Sequence, residues 1–306
     1  KVTVSVLYWV MSVFGLSSYV LITQKGRTFV PLTRGTGFAV SFAQTAFNTL
    51  HVLTADHVAR PHRHSQKYGN QTELGTVRDR HVSSKLHLFS GDRRFAVLPL
   101  EFRTFSPPQS DICVLRIDRE KHILGDMQQH GLPELLPFEL DTDGLQKDEP
   151  LSVVGLHLNS EDTIEDKLHM EPRTVRGKLA AKYVSSDFGT ILLASSEDGE
   201  ISPGMHGSPV VRAGTNKVVG IAVGNCLRDP HQQDPVPQAL GIAGPPNAQI
   251  PPEVRALHDK WRRENMRAPA VDISTNEELM NSVGSSGFAF VPTGEFASYL
   301  RHIETQ

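Results

Sequence analysis

Short apolar runs separated by turn residues recur along most of this chain. Residues 19–32 and 83–105 each contain two such runs around a central turn, which is typical of paired β-strands. Further runs of strand length lie at 151–158 and 175–196. Because strands of this length divided by turns are typical of β-sheet proteins, the pattern predicts an all-β fold.

The apolar N-terminal segment departs from this pattern. Residues 2–24 carry no charge and are rich in Val, Leu and aromatic side chains, which is enough length to span a bilayer. A core helix followed by a strand explains the same composition. Contact with a membrane through residues 2–24 therefore stays open as an alternative.

Two polar regions interrupt the strands. Residues 60–80 lack periodicity and predict a surface loop. Residues 229–284 begin with a Pro- and Gly-rich arm and continue into a predicted helix at 252–267. An apolar stripe on that helix, formed by Val254, Leu257 and Trp261, must rest either on the protein itself or on a partner.

Composition limits the classes of function. The chain has 306 residues with 39% apolar side chains and a net charge of −3, which supports a sizeable core and argues against general nucleic-acid binding. Its 14 His residues form no zinc-binding array, so no metal and no cofactor are expected. Only two cysteines, Cys113 and Cys226, are present, and we expect buried thiols in a reducing, intracellular compartment. A mitochondrial location is a hypothesis that rests on the few cysteines and the Lys at position 1.

Candidate chemistry lies in three segments. VLTADHVA carries His57, SDICVLRI carries Asp111, and ISPGMHGSPVV places His206 between two glycine-containing turns. Together they resemble the chymotrypsin-like (trypsin-like) serine proteases, which have a His, an Asp and a nucleophilic Ser in this order. The chain departs from that family at one position, because His206 stands where the family has its Ser.

The resemblance implies a fold and a domain organisation. It implies two six-stranded antiparallel β-barrels with a helical insertion and a C-terminal helix. We expect an apolar segment at 1–26, a first barrel at 27–130, a second barrel at 131–228 and 285–306, and the Pro-rich arm and helix as an insertion at 229–284.

The same resemblance assigns roles to individual residues. His57 and Asp111 correspond to the family's hydrogen-bonded catalytic pair, and the backbone N–H groups of Gly204 and His206 correspond to its oxyanion hole. Glu200, six residues before the nucleophile position, corresponds to the floor of the specificity pocket. Ser208 is the nearby hydroxyl that could act as an alternative nucleophile.

These residues lead to a function and to its alternatives. An imidazole has no hydroxyl to attack a carbonyl, so the sequence favours a catalytically inactive pseudoprotease that serves as a structural or interaction subunit of a larger assembly. The alternative is an active intracellular serine endopeptidase that uses Ser208 with His57 and Asp111. A metal site made of His57, Asp111 and His206 is disfavoured, because no fourth ligand can be identified.

Overall fold

Most of the chain's described residues lie in β-strands. A computed structural model of the protein describes residues 12–22, 28–40, 49–68, 77–90, 93–102, 110–118, 129, 137–158, 170–202, 204–229 and 269–304. The strands in these ranges form two separate sheets, one from each half of the chain. This architecture confirms the predicted all-β, two-barrel fold.

The first barrel consists of strands β1 (Val13–Ile22), β2 (Thr28–Val40), β3 (Thr49–Thr54), β4 (Val82–Ser90), β5 (Arg93–Phe102) and β6 (Cys113–Asp118). They close in the order β1-β2-β3-β6-β5-β4, and each neighbouring pair is antiparallel. Inward-facing side chains such as Leu16, Phe38 and Leu53 are fully buried, so the barrel interior is a packed apolar core.

The N-terminal apolar segment contributes to this barrel. Strand β1 lies within residues 2–24, pairs with β2 and β4, and buries Phe14, Leu16 and Tyr19. The first barrel therefore begins at Val13 rather than at the expected boundary near residue 27, because the apolar run supplies a strand that closes the barrel. Residues 2–11 lie outside the described ranges. Within those ranges, no helix combines the length and apolar character needed to cross a bilayer.

The second barrel consists of β8 (Pro150–Leu158), β9 (Met170–Ser185), β10 (Gly189–Ser196), β11 (Pro209–Arg212), β12 (Lys217–Leu227) and β14 (Gly287–Pro292). Pairing runs from β11 through β8, β9, β10, β14 and β12 and returns to β11, which closes the ring. Two short strands, β7 (Glu139–Leu140) and β13 (Ala270–Asp272), add to β12 in parallel.

The helices in the described ranges are short; two connect strands and the third follows the last strand. They are α1 (Asp56–Ala59), α2 (Glu277–Val283) and α3 (Ala297–Glu304), with 3₁₀ turns at Pro61–Tyr68, Asp79–His81 and Thr293–Glu295. Asn276 caps α2 by accepting a hydrogen bond from the Leu279 amide at 3.0 Å. Helix α3 is the C-terminal helix that the family resemblance implies.

The insertion is only partly described. Its final part supplies β13 and α2, so this part packs on the second barrel. The helix predicted at 252–267 and the arm before it lie outside the described residues, and both stay predictions.

One expectation about a loop is wrong. Residues 61–68, predicted as surface loop, form two 3₁₀ turns separated by a kink at His64, and Pro61 and His62 are buried. The side chain of Lys67 is only 2% exposed. Lys67 is buried beside the Asp111 carboxylate, whereas Arg63 of the same segment is exposed.

Candidate active site

The turn after β3 holds His57 against Asp111. Helix α1 starts directly after Ala55, and the His57 amide donates to Asp111 Oδ1 at 2.8 Å. His57 Nδ1 lies 2.6 Å from Asp111 Oδ2, and both side chains are fully buried. Two contacts to one carboxylate fix the ring orientation and leave His57 Nε2 pointing away from Asp111.

A buried cation lies behind this pair. Lys67 Nζ is 3.2 Å from Asp111 Oδ2 and 3.8 Å from the centroid of the Phe188 ring. Burial by itself would raise the pKa of Asp111, but the neighbouring His57, Lys67 and His64 outweigh it and hold the pKa well below its usual range. Asp111 is therefore ionised, with its charge shared between an imidazole and an ammonium group.

A second carboxylate extends the network. Asp56 Oδ1 accepts a hydrogen bond from Arg60 Nε at 2.6 Å, and Asp56 Oδ2 lies 2.7 Å from His64 Nε2. The same His64 nitrogen is 3.9 Å from Asp111 Oδ1, so His64 bridges the two carboxylates. The first barrel thus surrounds the His57–Asp111 pair with paired charged groups. This arrangement resists rearrangement because a buried charge without its partner is costly.

The loop between β10 and β11 is held by Thr36 of the first barrel. Thr36 Oγ1 donates to the Gly204 carbonyl at 2.7 Å and accepts from the Leu156 amide at 3.1 Å. The Thr36 amide donates to the His206 carbonyl at 2.8 Å. One residue of β2 therefore fixes both ends of the turn that carries His206.

Glycine is required inside that turn. Gly207 has φ of +85°, and a Cβ there would lie 2.2 Å from Thr54 Oγ1 and 2.3 Å from the Thr36 carbonyl oxygen. Its amide donates to the Ala222 carbonyl at 2.8 Å. A side chain at position 207 would fit neither this backbone angle nor the available space. Because glycine has no side chain, the turn can pass directly between the two barrels.

His206 faces His57 across the boundary between the two barrels. His57 Nε2 lies 3.0 Å from His206 Nδ1, and the rings are perpendicular with centroids 5.2 Å apart. The backbone of Val223 on β12 lies beside the His206 ring. His206 is only 6% exposed, and its ring occupies the space in front of the His57–Asp111 pair.

Burial keeps both imidazoles neutral. It lowers the pKa of His57, although Asp111 opposes the effect. Burial, reinforced by His57, lowers the pKa of His206 to about 3. A neutral imidazole in contact with His57 can hold or share a proton, but it offers no hydroxyl for attack on a carbonyl.

The remaining predicted residues lie around this centre. Gly204 has φ of +91° and is buried, and Glu200 is half-buried. The oxyanion-hole and specificity-pocket roles of these residues stay predictions. Within the ranges that the structure describes, no three His, Cys, Asp or Glu side chains are arranged to hold a metal ion.

Ser208 points away from the pair. Its hydroxyl faces β8, where a Cβ added to Gly155 would come within 2.1 Å of Ser208 Oγ. The residue is fully buried, and its hydroxyl has no hydrogen-bond partner among the residues that the structure describes. The structure therefore brings together His57, Asp111 and His206, and it does not bring Ser208 to them.

Sequence reasoning missed several residues of the site. Lys67 lies in a segment with no periodicity, and nothing local marks it as buried. Thr36 stands between the two glycines of the Gly-x-Gly-Phe segment, which is a signal that could have found it. Asn225 lies three residues after Ala222 on β12, and its role depends on a contact with a distant turn.

The two closed barrels, with a buried His–Asp pair facing the turn between β10 and β11, define a chymotrypsin-like peptidase fold. Residues 35–221 match the family model described as a trypsin-like peptidase domain, and the chain belongs to that family.

Solved structures and curated proteins give two further comparisons. The crystal structure of Deg5 is similar, with 18% sequence identity, a TM-score of 0.42, and an alignment that covers 72% of this chain and 82% of the Deg5 chain. Among curated proteins, none matches this sequence significantly.

Proposed function

We propose that this chain is a catalytically inactive trypsin-like pseudoprotease that serves as a structural or interaction subunit of a larger protein assembly. The contact of 3.0 Å between His57 Nε2 and His206 Nδ1 carries this proposal. It puts an imidazole nitrogen at the place where a serine protease needs a hydroxyl.

Three physical facts support inactivity. The His57–Asp111 pair has no hydroxyl to deprotonate at this contact, the buried His206 ring contacts His57, and Ser208 faces the opposite direction. Loss of one member of a catalytic triad typically lowers turnover by roughly four to six powers of ten.

A serine-reactive probe tests inactivity directly. We expect no labelling of the native chain by a fluorophosphonate at neutral pH, and labelling of a His206→Ser variant at position 206. The matched control is Ser208→Ala, which removes the other candidate hydroxyl. Labelling of the native chain that disappears in Ser208→Ala would replace this proposal with the Ser208 endopeptidase hypothesis.

The interaction role is supported by sequence and packing together. The insertion carries a predicted helix with an apolar stripe, and buried apolar clusters already fill both barrels. Such a stripe is suited to a neighbouring protein surface. The two buried, unpaired thiols Cys113 and Cys226 support an intracellular location for that assembly.

Replacement of residues 231–268 by a flexible linker of about 12 residues tests this role. The replacement keeps β13 and α2 in place. We expect the barrels to stay folded by circular dichroism, while the proteins that co-purify with the native chain are lost. A triple substitution of Val254, Leu257 and Trp261 by Ser should act in the same way. Unchanged co-purification in both variants would count against the role of the insertion.

A further inference from the structure

Strand β12 has two edges, and only one faces His57 and His206. At Ile221 the strand pairs with Val291 of β14 on one edge and with Pro209 of β11 on the other. At Asn225 it pairs with β14 and with β13. Since β14 takes the same edge at both positions, β11 and β13 must share the opposite edge. An extended peptide lying in front of His57 would pair with that opposite edge. It would occupy the part of the edge that lies between β11 and β13 and the part that β13 covers.

The chain itself occupies this edge, position by position. The Ala222 carbonyl accepts from the Gly207 amide, and the Ala222 amide donates to the Ser208 carbonyl. One residue further along, the ring of His206 lies beside the Val223 backbone. The part of the edge nearest His57 is therefore taken by the 204–208 turn.

The next part of the edge is covered by the return of the insertion. A Cβ added to Gly224 would lie 2.3 Å from the Pro269 carbonyl oxygen, so the two backbones are in direct contact. From there β13 pairs in parallel with Asn225, Cys226 and Leu227. The Ile273 amide continues the ladder by donating to the Leu227 carbonyl at 2.9 Å.

The side chain of Asn225 fills the space beside the edge. Its Oδ1 accepts from the Ile201 amide at 2.9 Å, and its Nδ2 donates to the Ile201 carbonyl at 3.1 Å. Asn225 is 5% exposed and Ile201 is 2% exposed. This amide bridges β12 to the segment that begins the His206 turn, beside the predicted pocket floor at Glu200.

We propose that the segment 269–273 of this chain is a built-in ligand of its own peptide-binding edge, which it seals together with His206 and Asn225. This inference rests on the proposed function and extends it. Restoring a nucleophile at position 206 would then give a reactive serine, but it would not give a site that accepts a polypeptide.

Amide hydrogen exchange of the native chain is the first test. If β13 is paired, the amides of Val271 and Ile273 exchange at least about 100-fold more slowly than unstructured amides, and adding an excess of unfolded casein changes nothing. Exchange of these two amides at the unstructured rate, while β14 amides stay protected, would overturn the proposal. The result does not depend on whether the native chain reacts with a fluorophosphonate.

Polypeptide cleavage by His206→Ser variants is the second test. Because the Ile273 amide faces β12, the Val271 amide two residues earlier faces it as well, and the Asp272 amide faces away. Adding Val271→Pro to His206→Ser should raise casein cleavage at least about tenfold.

Two matched controls accompany that variant. Asp272→Pro introduces the same ring at an outward-facing amide, and Val271→Ala removes buried side chain without removing the amide. Neither should raise cleavage above that of His206→Ser alone. Cleavage of casein by His206→Ser alone at the rate of the double variant would contradict the sealed edge.

Discussion

The two barrels contribute differently to the centre between them. The first barrel keeps a His57–Asp111 pair with two short contacts, surrounded by compensating charges. The second barrel contributes His206, whose ring contacts His57, and one edge of its strand β12 pairs with β13 of the same chain. The proposed loss of activity therefore rests on residues of the second barrel. The His–Asp pair persists because burying it unpaired would cost far more than retaining it.

Gly207→Ala should have the largest effect on stability, because it adds a methyl group where the two barrels meet. A methyl group there combines a strained φ with contacts of 2.2 and 2.3 Å to Thr54 and Thr36. We expect a loss of about 4 kcal/mol in chemical denaturation. Gly199→Ala is the matched control, since Gly199 has φ of +87° with nothing within 4 Å, and it should cost only about 1 kcal/mol. Equal losses would show that the turn is not wedged between the barrels.

Lys67→Met should have the next largest effect, and it acts on the first barrel alone. It leaves the buried Asp111 with His57 as its main partner, so unfolding free energy should fall by about 3 kcal/mol and the pKa of His57 should rise. Lys178→Met removes an exposed partner of Glu197 and should change stability by less than about 1 kcal/mol. A loss of unfolding free energy for Lys67→Met no larger than for this control would mean that Lys67 does not stabilise the buried Asp111.

The dependence of folded stability on pH tests whether the His206 imidazole is buried in its neutral form. Because the pKa of His206 is about 3 in the folded chain and near 6.5 when unfolded, the unfolded chain takes up a proton as pH falls below about 6.5. The contribution of His206 to folded stability is therefore complete above pH 6.5 and is lost towards pH 3. At pH 5 the loss is about 2 kcal/mol, by the cost of roughly 1.4 kcal/mol per pH unit.

Denaturation curves of His206→Ser and of the native chain at pH 7 and pH 5 measure this difference. The variant should lose less stability on acidification, because only His57 then remains as a buried neutral imidazole at the centre. Equal losses of unfolding free energy in the two proteins would mean that the His206 ring is exposed to solvent.

Asn225→Ala should have the smallest effect and concerns the second barrel. It leaves the backbone N–H and C=O of Ile201 without their side-chain partner, which costs about 1.5 kcal/mol. Asn216→Ala, at an exposed position, should stay within about 0.5 kcal/mol of the native chain. Equal stabilities of the two variants would mean that Asn225 does not bridge β12 to the His206 turn.

Motif order predicted much of this arrangement from the sequence. Segments carrying His57, Asp111 and His206 are each local, and each sits at a turn or strand start that the family pattern marks. Lys67 and β13 could not be found in this way. Lys67 is buried against Asp111 and Phe188, both far away in the chain, and β13 is three residues long with no alternating pattern. Features that depend on long-range pairing leave no local signal.

Titration of the ring nitrogens of His57 and His206 by nuclear magnetic resonance tests the central claim most directly. The account predicts that His206 stays neutral down to pH 5, with a pKa well below its ordinary value, and that its ring signals respond to His57→Ala. A His206 that titrates near pH 6.5 and is insensitive to His57→Ala would contradict the account.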